Sequence, residues 1–266
     1  AIFSDVDGMT GVFSDDFESY LVGDSLDTDN AASPYNSSTS EATVGAEPDV
    51  AGGPGTPGNK VAEIIDTDPG DTGELRYALD SDGPLAAGRL NVSVKRLDDA
   101  LGNGDAFITL FNSATNNDGA ILDFRIRDDS FGVRSPGSID TSTLPHTLDA
   151  FMDVQVAWAY PGGDTAMLPE VTITVDGVSL APYTPDNNST GGVTHVAFRF
   201  GDNGGVREAT GIFSVDELAI YSDTAGTTEV FSDDFESYLE GDSLDTDNAA
   251  SPYNSSTSEA TVGVEE

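Results

Sequence analysis

Residues 13–45 and 231–263 carry the same text with a single difference, Val22 against Glu240. The offset is 218 residues, and it extends backwards, where Ala1-Ile2-Phe3-Ser4-Asp5 matches Ala219-Ile220-Tyr221-Ser222-Asp223. Whatever structure this segment adopts once, it has the same chemical reason to adopt twice. The chain therefore reads as one 218-residue period and the start of a second, taken from a tandem array. On this reading residues 1–11 end a preceding repeat, 12–221 form one repeat unit, 222–230 are a linker and 231–266 open the next repeat. A single sandwich has room for one opening strand, and the chain holds two, Phe13–Glu18 and Phe231–Glu236. Short connections favour Phe13–Glu18 as the strand that closes against Phe213–Tyr221 of its own period. The second copy is then a donated strand for a neighbouring chain or part of the next unit, a head-to-tail contact that builds filaments. In the other arrangement Phe231–Glu236 feeds back into the same sheet and the unit is circularly permuted.

Strand signals fill the period. Leu75, Tyr77 and Leu79 alternate with Glu74, Arg76 and Ala78, and Leu90, Val92 and Val94 alternate with Asn91, Ser93 and Lys95. Val171, Ile173 and Val175 alternate with threonines and meet Asp176-Gly177, a hairpin-turn dipeptide. Val196, Phe198 and Phe200 form another alternating run, and Ala106–Phe111 and Met152–Trp158 read as strands apolar on both sides. No stretch keeps a helical period over three turns, and 29 Gly and 13 Pro punctuate the runs. Such spacing predicts an all-β protein, an antiparallel β-sandwich.

With 48 acidic against 10 basic side chains, the net charge is −38. That charge repels phosphate before contact and excludes nucleic acid and anionic lipid surfaces as partners. No run approaches the length of a membrane span. There is no cysteine, which excludes disulfides, a thiol nucleophile and a cysteine zinc site. An aspartate-rich chain with Lys60 and Lys95 as its lysines suits high salt or abundant calcium, where carboxylates are screened or find a hard cation. The expected location is extracellular, at the surface of a saline or marine microbe.

Four segments in order carry a resemblance: F-S-D-D-F-E-S-Y at 13–20, F-M-D-V-Q-V-A-W at 151–158, V-T-I-T-V-D-G-V at 171–178 and G-I-F-S-V-D-E-L-A-I-Y at 211–221. Together they resemble the concanavalin A-like or laminin-G-like jelly roll of bacterial surface repeats, carbohydrate-binding modules and relatives of family 16 glycoside hydrolases. The resemblance covers most of 12–221. It implies a structural calcium ion (Ca2+) held by Asp16 and Asp216, with Glu18 or Asp15 nearby. Asp216 also interrupts an apolar strand, where an unpaired carboxylate is costly. The same resemblance sets a test for catalysis. The E-x-D-x-x-E strand of family 16 hydrolases is absent, Gly73-Glu74-Leu75-Arg76 offers part of an alginate-lyase strand, and neither His146 nor His195 follows a Gln. No enzyme is expected.

Arg125 and Arg127 share one strand face with Asp123, and Arg76 points away from Leu75, Tyr77 and Leu79. Such a stripe either grips the carboxylates or sulfates of an acidic glycan or pairs with the surplus aspartates. Trp158 and Tyr160 either stack on a sugar or, as their apolar strand suggests, fill the core. The expected function is a non-catalytic, calcium-stabilised repeat module of a surface adhesin or matrix filament with a capacity for glycan. The alternatives are a polysaccharide-binding module of a carbohydrate-active enzyme and an unrecognised polysaccharide lyase or hydrolase.

Overall fold

The computed structural model describes residues 2–3, 11–13, 59–66, 73–79, 84–98, 104–112, 119–127, 130–133, 144, 150–180, 183, 185, 190–202, 211–238, 244, 253 and 260–264. Of the first copy, only the backbone of β1 (Ile2–Phe3) and β2 (Gly11–Phe13), paired antiparallel with each other, is among them.

Every other strand belongs to one of two antiparallel sheets. The larger uses β3 (Lys60–Ile64), β5 (Ala87–Asp98), β9 (Met152–Ala159), β10 (Glu170–Val175), β11 (Val178–Ser179), β13 (Gly211–Tyr221), β14 (Glu229–Asp233) and β15 (Ala260–Val264). Its order is β11-β10-β9-β5-β13-β3-β15, with β14 also on β13. The smaller uses β4 (Gly73–Ala78), β6 (Gly104–Phe111), β7 (Ala120–Ile126), β8 (Phe131–Val133) and β12 (His195–Asp202), in the order β4-β12-β6-β7-β8. The two pack face to face over one apolar core, the jelly-roll sandwich expected from the alternating runs.

The alternation places side chains as the period of two requires. Leu75, Tyr77 and Leu79 point into the core, as do Leu90, Val92 and Val94, and Val196, Phe198 and Phe200. Asp176 and Gly177 take φ of 48° and 77° and join β10 to β11, the turn that the dipeptide predicts. Trp158 is fully buried at Gly88, where an added Cβ would lie 2.2 Å from its ring, so the close approach requires glycine. Ala106–Phe111 is buried on both faces: Ala106, Ile108 and Leu110 enter the core, and Phe107 and Phe111 flank Thr109 on the other side. Met152–Trp158 is corrected to one-sided: Met152, Val154, Val156 and Trp158 are inward, while Asp153 is exposed and Gln155 and Ala157 are half-buried.

The second copy of the repeat is part of this sandwich, which reverses the expected order of closure. β14 pairs along Leu218–Tyr221 of β13, and β15 pairs along the whole of β3. Phe231, Phe235, Tyr238, Leu244, Tyr253, Ala260 and Val262 are all buried in the shared core. Residues 222–228 are a tight connection rather than a linker between units. The Asp223 carboxylate accepts from the N–H groups of Ala225, Thr227 and Thr228 and from the Thr227 hydroxyl. The physical reason is proximity: seven residues return the chain along the free half of β13, and the apolar rings of the second copy reach the core at once. The closing position assigned by expectation to Phe13–Glu18 is thus occupied by Phe231–Glu236; Phe13 is described only in its backbone, and residues 14–18 lie outside the described residues. One period, residues 49–266, contains every strand of both sheets.

Candidate functional site

Among the described residues, the expected site residues fall in two places: the junction around Asp216 and the polar face of the five-stranded sheet.

At the junction, β13 bulges. Asp216 pairs with Ser93 and Ala219 with Asn91, so the two residues between them face one position of β5. Glu217 adopts φ 46°, the left-handed region that a non-glycine residue enters at a cost. On the other side of β13, β3 covers Phe213–Val215 and β14 covers Leu218–Tyr221, so the bulge sits where one neighbour gives way to the other. Asp216 is 1 % exposed there. Its Oδ2 accepts from Asn59 Nδ2 at 2.8 Å and its Oδ1 from the Glu217 N–H at 2.7 Å. Glu236 Oε1 accepts from the Lys60 N–H at 2.6 Å, and Lys60 Nζ donates to the Glu236 carbonyl at 2.6 Å. Burial pushes the Asp216 carboxyl well above the usual carboxylate range; the bonds from Asn59 and Glu217 pull it down, and the charges of Glu217 and Glu236 push it up further.

Of the three residues expected at a calcium ion, Asp16 and Glu18 lie outside the described residues, and Asp216 is the buried group at this junction. Their counterparts in the second copy are Asp234 and Glu236. Glu236 stands beside Asp216, whereas Asp234 is exposed and caps the Glu236 N–H at 3.3 Å. Among the described residues no three His, Asp or Glu side chains form a group that could hold a metal ion. The two carboxylates of the junction, Asp216 and Glu236, suit a hard cation in type, whereas Asn59 presents its amide nitrogen to Asp216. A buried carboxylate with acidic neighbours is the charge imbalance such a cation relieves.

The second place is the side of the five-stranded sheet that faces away from the core. Register builds it in rows: Glu74, Arg199, Phe107 and Arg125 lie across four strands, and Arg76, Ala197, Thr109 and Asp123 form the next row. Glu74 lies between two arginines, with Arg76 Nη2 at 2.8 Å and Arg199 Nε at 3.3 Å from Oε2. Asp105 does the same for Arg125 and Arg127, at 3.4 and 3.5 Å. The Arg76 guanidinium lies 4.4 Å above the Phe111 ring and that of Arg125 5.2 Å from the Phe107 ring. The expected face of Arg76, Arg125 and Arg127 exists, and its arginines are matched to carboxylates. Arg76, Arg125 and Arg199 are buried, and Arg127 is the accessible one, with 41 % of its side chain exposed. His195 is buried on the same face, its Nδ1 2.9 Å from the Thr194 hydroxyl, and His146 lies outside the described residues. Trp158 and Tyr160 are core residues.

Sequence reasoning missed Arg199, Glu74 as an ion-pair centre, and Asn59. The alternation of Val196, Phe198 and Phe200 already placed Arg199 on the outer face; what was absent was the pairing of β12 with β4, a partner more than a hundred residues distant. Asn59 gave no signal of its own.

Two antiparallel sheets over one core, with a polar face on the smaller sheet, define a β-sandwich module of the jelly-roll kind. Among solved structures the chain is similar to a tetrameric galectin from the ball sponge Cinachyrella sp., at 17 % identity and TM-score 0.37 over 56 % of this chain and 99 % of that one. It is similar to a heptameric SAP-like pentraxin from Limulus polyphemus, at 14 % and 0.41 over 62 % and 77 %. An alginate lyase of polysaccharide lyase family 7 matches at 11 % and 0.34 over 55 % of this chain and 61 % of its own. No protein-family model and no curated protein matches the chain. Among the described residues no helix is long and apolar enough to cross a membrane.

Proposed function

We propose that the chain is a non-catalytic repeat module of an extracellular adhesin or matrix filament, stabilised by calcium, with acidic polysaccharide as its ligand class. The observation that carries this reading is that the near-identical segment belongs to the sandwich itself. A period of 218 residues then equals one folded unit, and Pro/Gly-rich residues 48–58 separate successive units. Units of that kind strung head to tail give length and avidity, which a surface fibre uses and a single-copy enzyme does not. The ion-paired state of Glu74, Arg76 and Arg199 supports a non-catalytic role, since a general acid or base must reach its substrate. Calcium would be held at the junction by the Asp216 and Glu236 carboxylates, and its charge would offset the buried carboxylate. Arg127, at the rim of the polar face, is the group offered to a uronate or sulfate.

The test is incubation of the chain with alginate and with a sulfated galactan in millimolar calcium. Binding without release of unsaturated or reducing-end products supports a binding module. Progressive depolymerisation overturns the non-catalytic reading, and failure to bind either polymer removes glycan from the function and leaves the structural role.

A further inference from the structure

The groove that holds the described residues of the second copy, 229–238, 244, 253 and 260–264, is lined by named side chains. Tyr77 of β4 stacks on Phe231 at 3.9 Å between ring centroids, and Tyr253 meets both rings edge-on, at 6.2 and 5.8 Å. Phe235 stacks on Tyr253 at 6.3 Å and adopts φ 60°, a strained conformation for an aromatic residue. The Asp233 carboxylate accepts from the Phe235 N–H and from the hydroxyls of Tyr238 and Tyr253 at 2.9 to 3.0 Å. Every one of these residues recurs in the first copy, as Phe13, Asp15, Phe17, Tyr20 and Tyr35, with Leu26, Ala42 and Val44 for Leu244, Ala260 and Val262. Between 11–46 and 229–264 only Gly11/Glu229, Val22/Glu240 and Ala46/Val264 differ, so apart from the Glu229 and Val264 ends of the two strands the groove's aromatic and carboxylate contacts are open to either copy. The connection also permits both. Val264 is paired directly with Lys60 across the β15–β3 ladder. Its counterpart, Ala46, is joined to Lys60 by residues 47–59, more than enough chain to bridge neighbouring strands.

We propose that residues 11–46 of the same chain are a competent replacement for residues 229–264, so that the sandwich has two closing segments, one entering from each end of the period. Tethering favours the seated copy: seven residues connect β13 to β14, against thirteen from Ala46 to β3. In a tandem array the consequence is exchange: each closing segment lies between two grooves, its own unit's and the following unit's, and can serve either. This inference does not depend on the adhesive or glycan-binding reading.

The experiment uses the full chain, whose lack of cysteine allows a disulfide reporter. Three variants are compared: Phe231→Ala with Tyr253→Ala, the matching Phe13→Ala with Tyr35→Ala, and all four together. Loss of two core rings without replacement lowers Tm by at least about 10 °C in a domain of this size. The expected result is a Tm within about 3 °C of the parent for either pair and the full loss for the fourfold variant. Seating is read directly, because Thr261 faces Glu63 across the ladder and Thr43 is its counterpart. In the Phe231/Tyr253 variant, Glu63→Cys with Thr43→Cys should give an intrachain disulfide in a monomer. A second-copy pair as destabilised as the fourfold variant overturns the proposal. So does a disulfide that links two chains, which would assign the groove to a neighbouring molecule instead.

Discussion

Asp216→Asn probes the junction in a way that separates a cation site from an ordinary buried acid. The substitution keeps shape and removes one charge; its amide oxygen can still accept from the Glu217 N–H, while its NH2 replaces the oxygen that accepts from Asn59, which must turn its own amide oxygen inward to meet it. Without cation the parent carries an ionisable group whose folded pKa lies above its unfolded value, chiefly through burial. Its favourable share of stability is therefore complete below the unfolded value of 3.8 and is lost as pH rises through the folded pKa. In chelator, then, the parent should gain on Asp216→Asn as pH falls from 8 towards 5, and the variant should equal or exceed the parent at pH 8. Calcium reverses the comparison. A ligand that binds only the folded form at a hundred times its Kd contributes about 2.7 kcal/mol. For a domain of about 200 residues that is roughly 5–11 °C in Tm. The assay is thermal unfolding of parent and variant at constant ionic strength, in excess chelator and in millimolar calcium, at pH 5, 6.5 and 8. The parent should rise with calcium and the variant should not. Equal parent curves with and without calcium refute the cation, and a calcium response preserved in the variant refutes its assignment to Asp216.

Arg199→Met should cost about 3–5 kcal/mol, because it leaves part of the Glu74 charge uncompensated in a buried place; denaturant unfolding measures it, and a neutral result would show that Arg76 alone neutralises Glu74. Gly88→Ala forces a methyl into Trp158 and should cost about 1–3 kcal/mol with a change in tryptophan fluorescence; an unaltered spectrum and Tm would contradict the close approach. Asp223→Ala removes the cap of the β13–β14 connection. At Asp223 desolvation, which raises the pKa, is outweighed by the bonds from Thr227 and Thr228, and the carboxyl is lowered to about 2. The parent's advantage over this variant should be present above the unfolded value of 3.8 and vanish as pH falls through about 2; an advantage that persists at pH 1.5 argues against a charge-based cap. Finally, a chain of net charge −38 should lose stability between molar and millimolar sodium chloride even in saturating calcium, and a flat response rejects the high-salt reading.

The sequence by itself determined the layers. A period of two in Leu75-Tyr77-Leu79, Leu90-Val92-Val94 and Val196-Phe198-Phe200 leaves a strand one way to bury its apolar face, and Asp176-Gly177 fixes a turn because few other pairs tolerate both left-handed residues. It also marked Asp216, since a carboxylate within Phe213–Ile220 must be compensated, and the outward turn of Arg76, Arg125 and Arg127. Only the tertiary structure decided what meets what. Local pattern holds almost no information about which of two near-identical segments a groove receives, so the seating of Phe231–Glu236 in the position expected for Phe13–Glu18 is read from chain connection. The same is true of the ion pairs: Glu74 and Arg199 are far apart in sequence and are adjacent because β4 and β12 are. Asn59 and Glu236 reach Asp216 for a third reason of that kind, the exchange of β3 for β14 beside a bulge, a geometry that exists only once the sheet has formed.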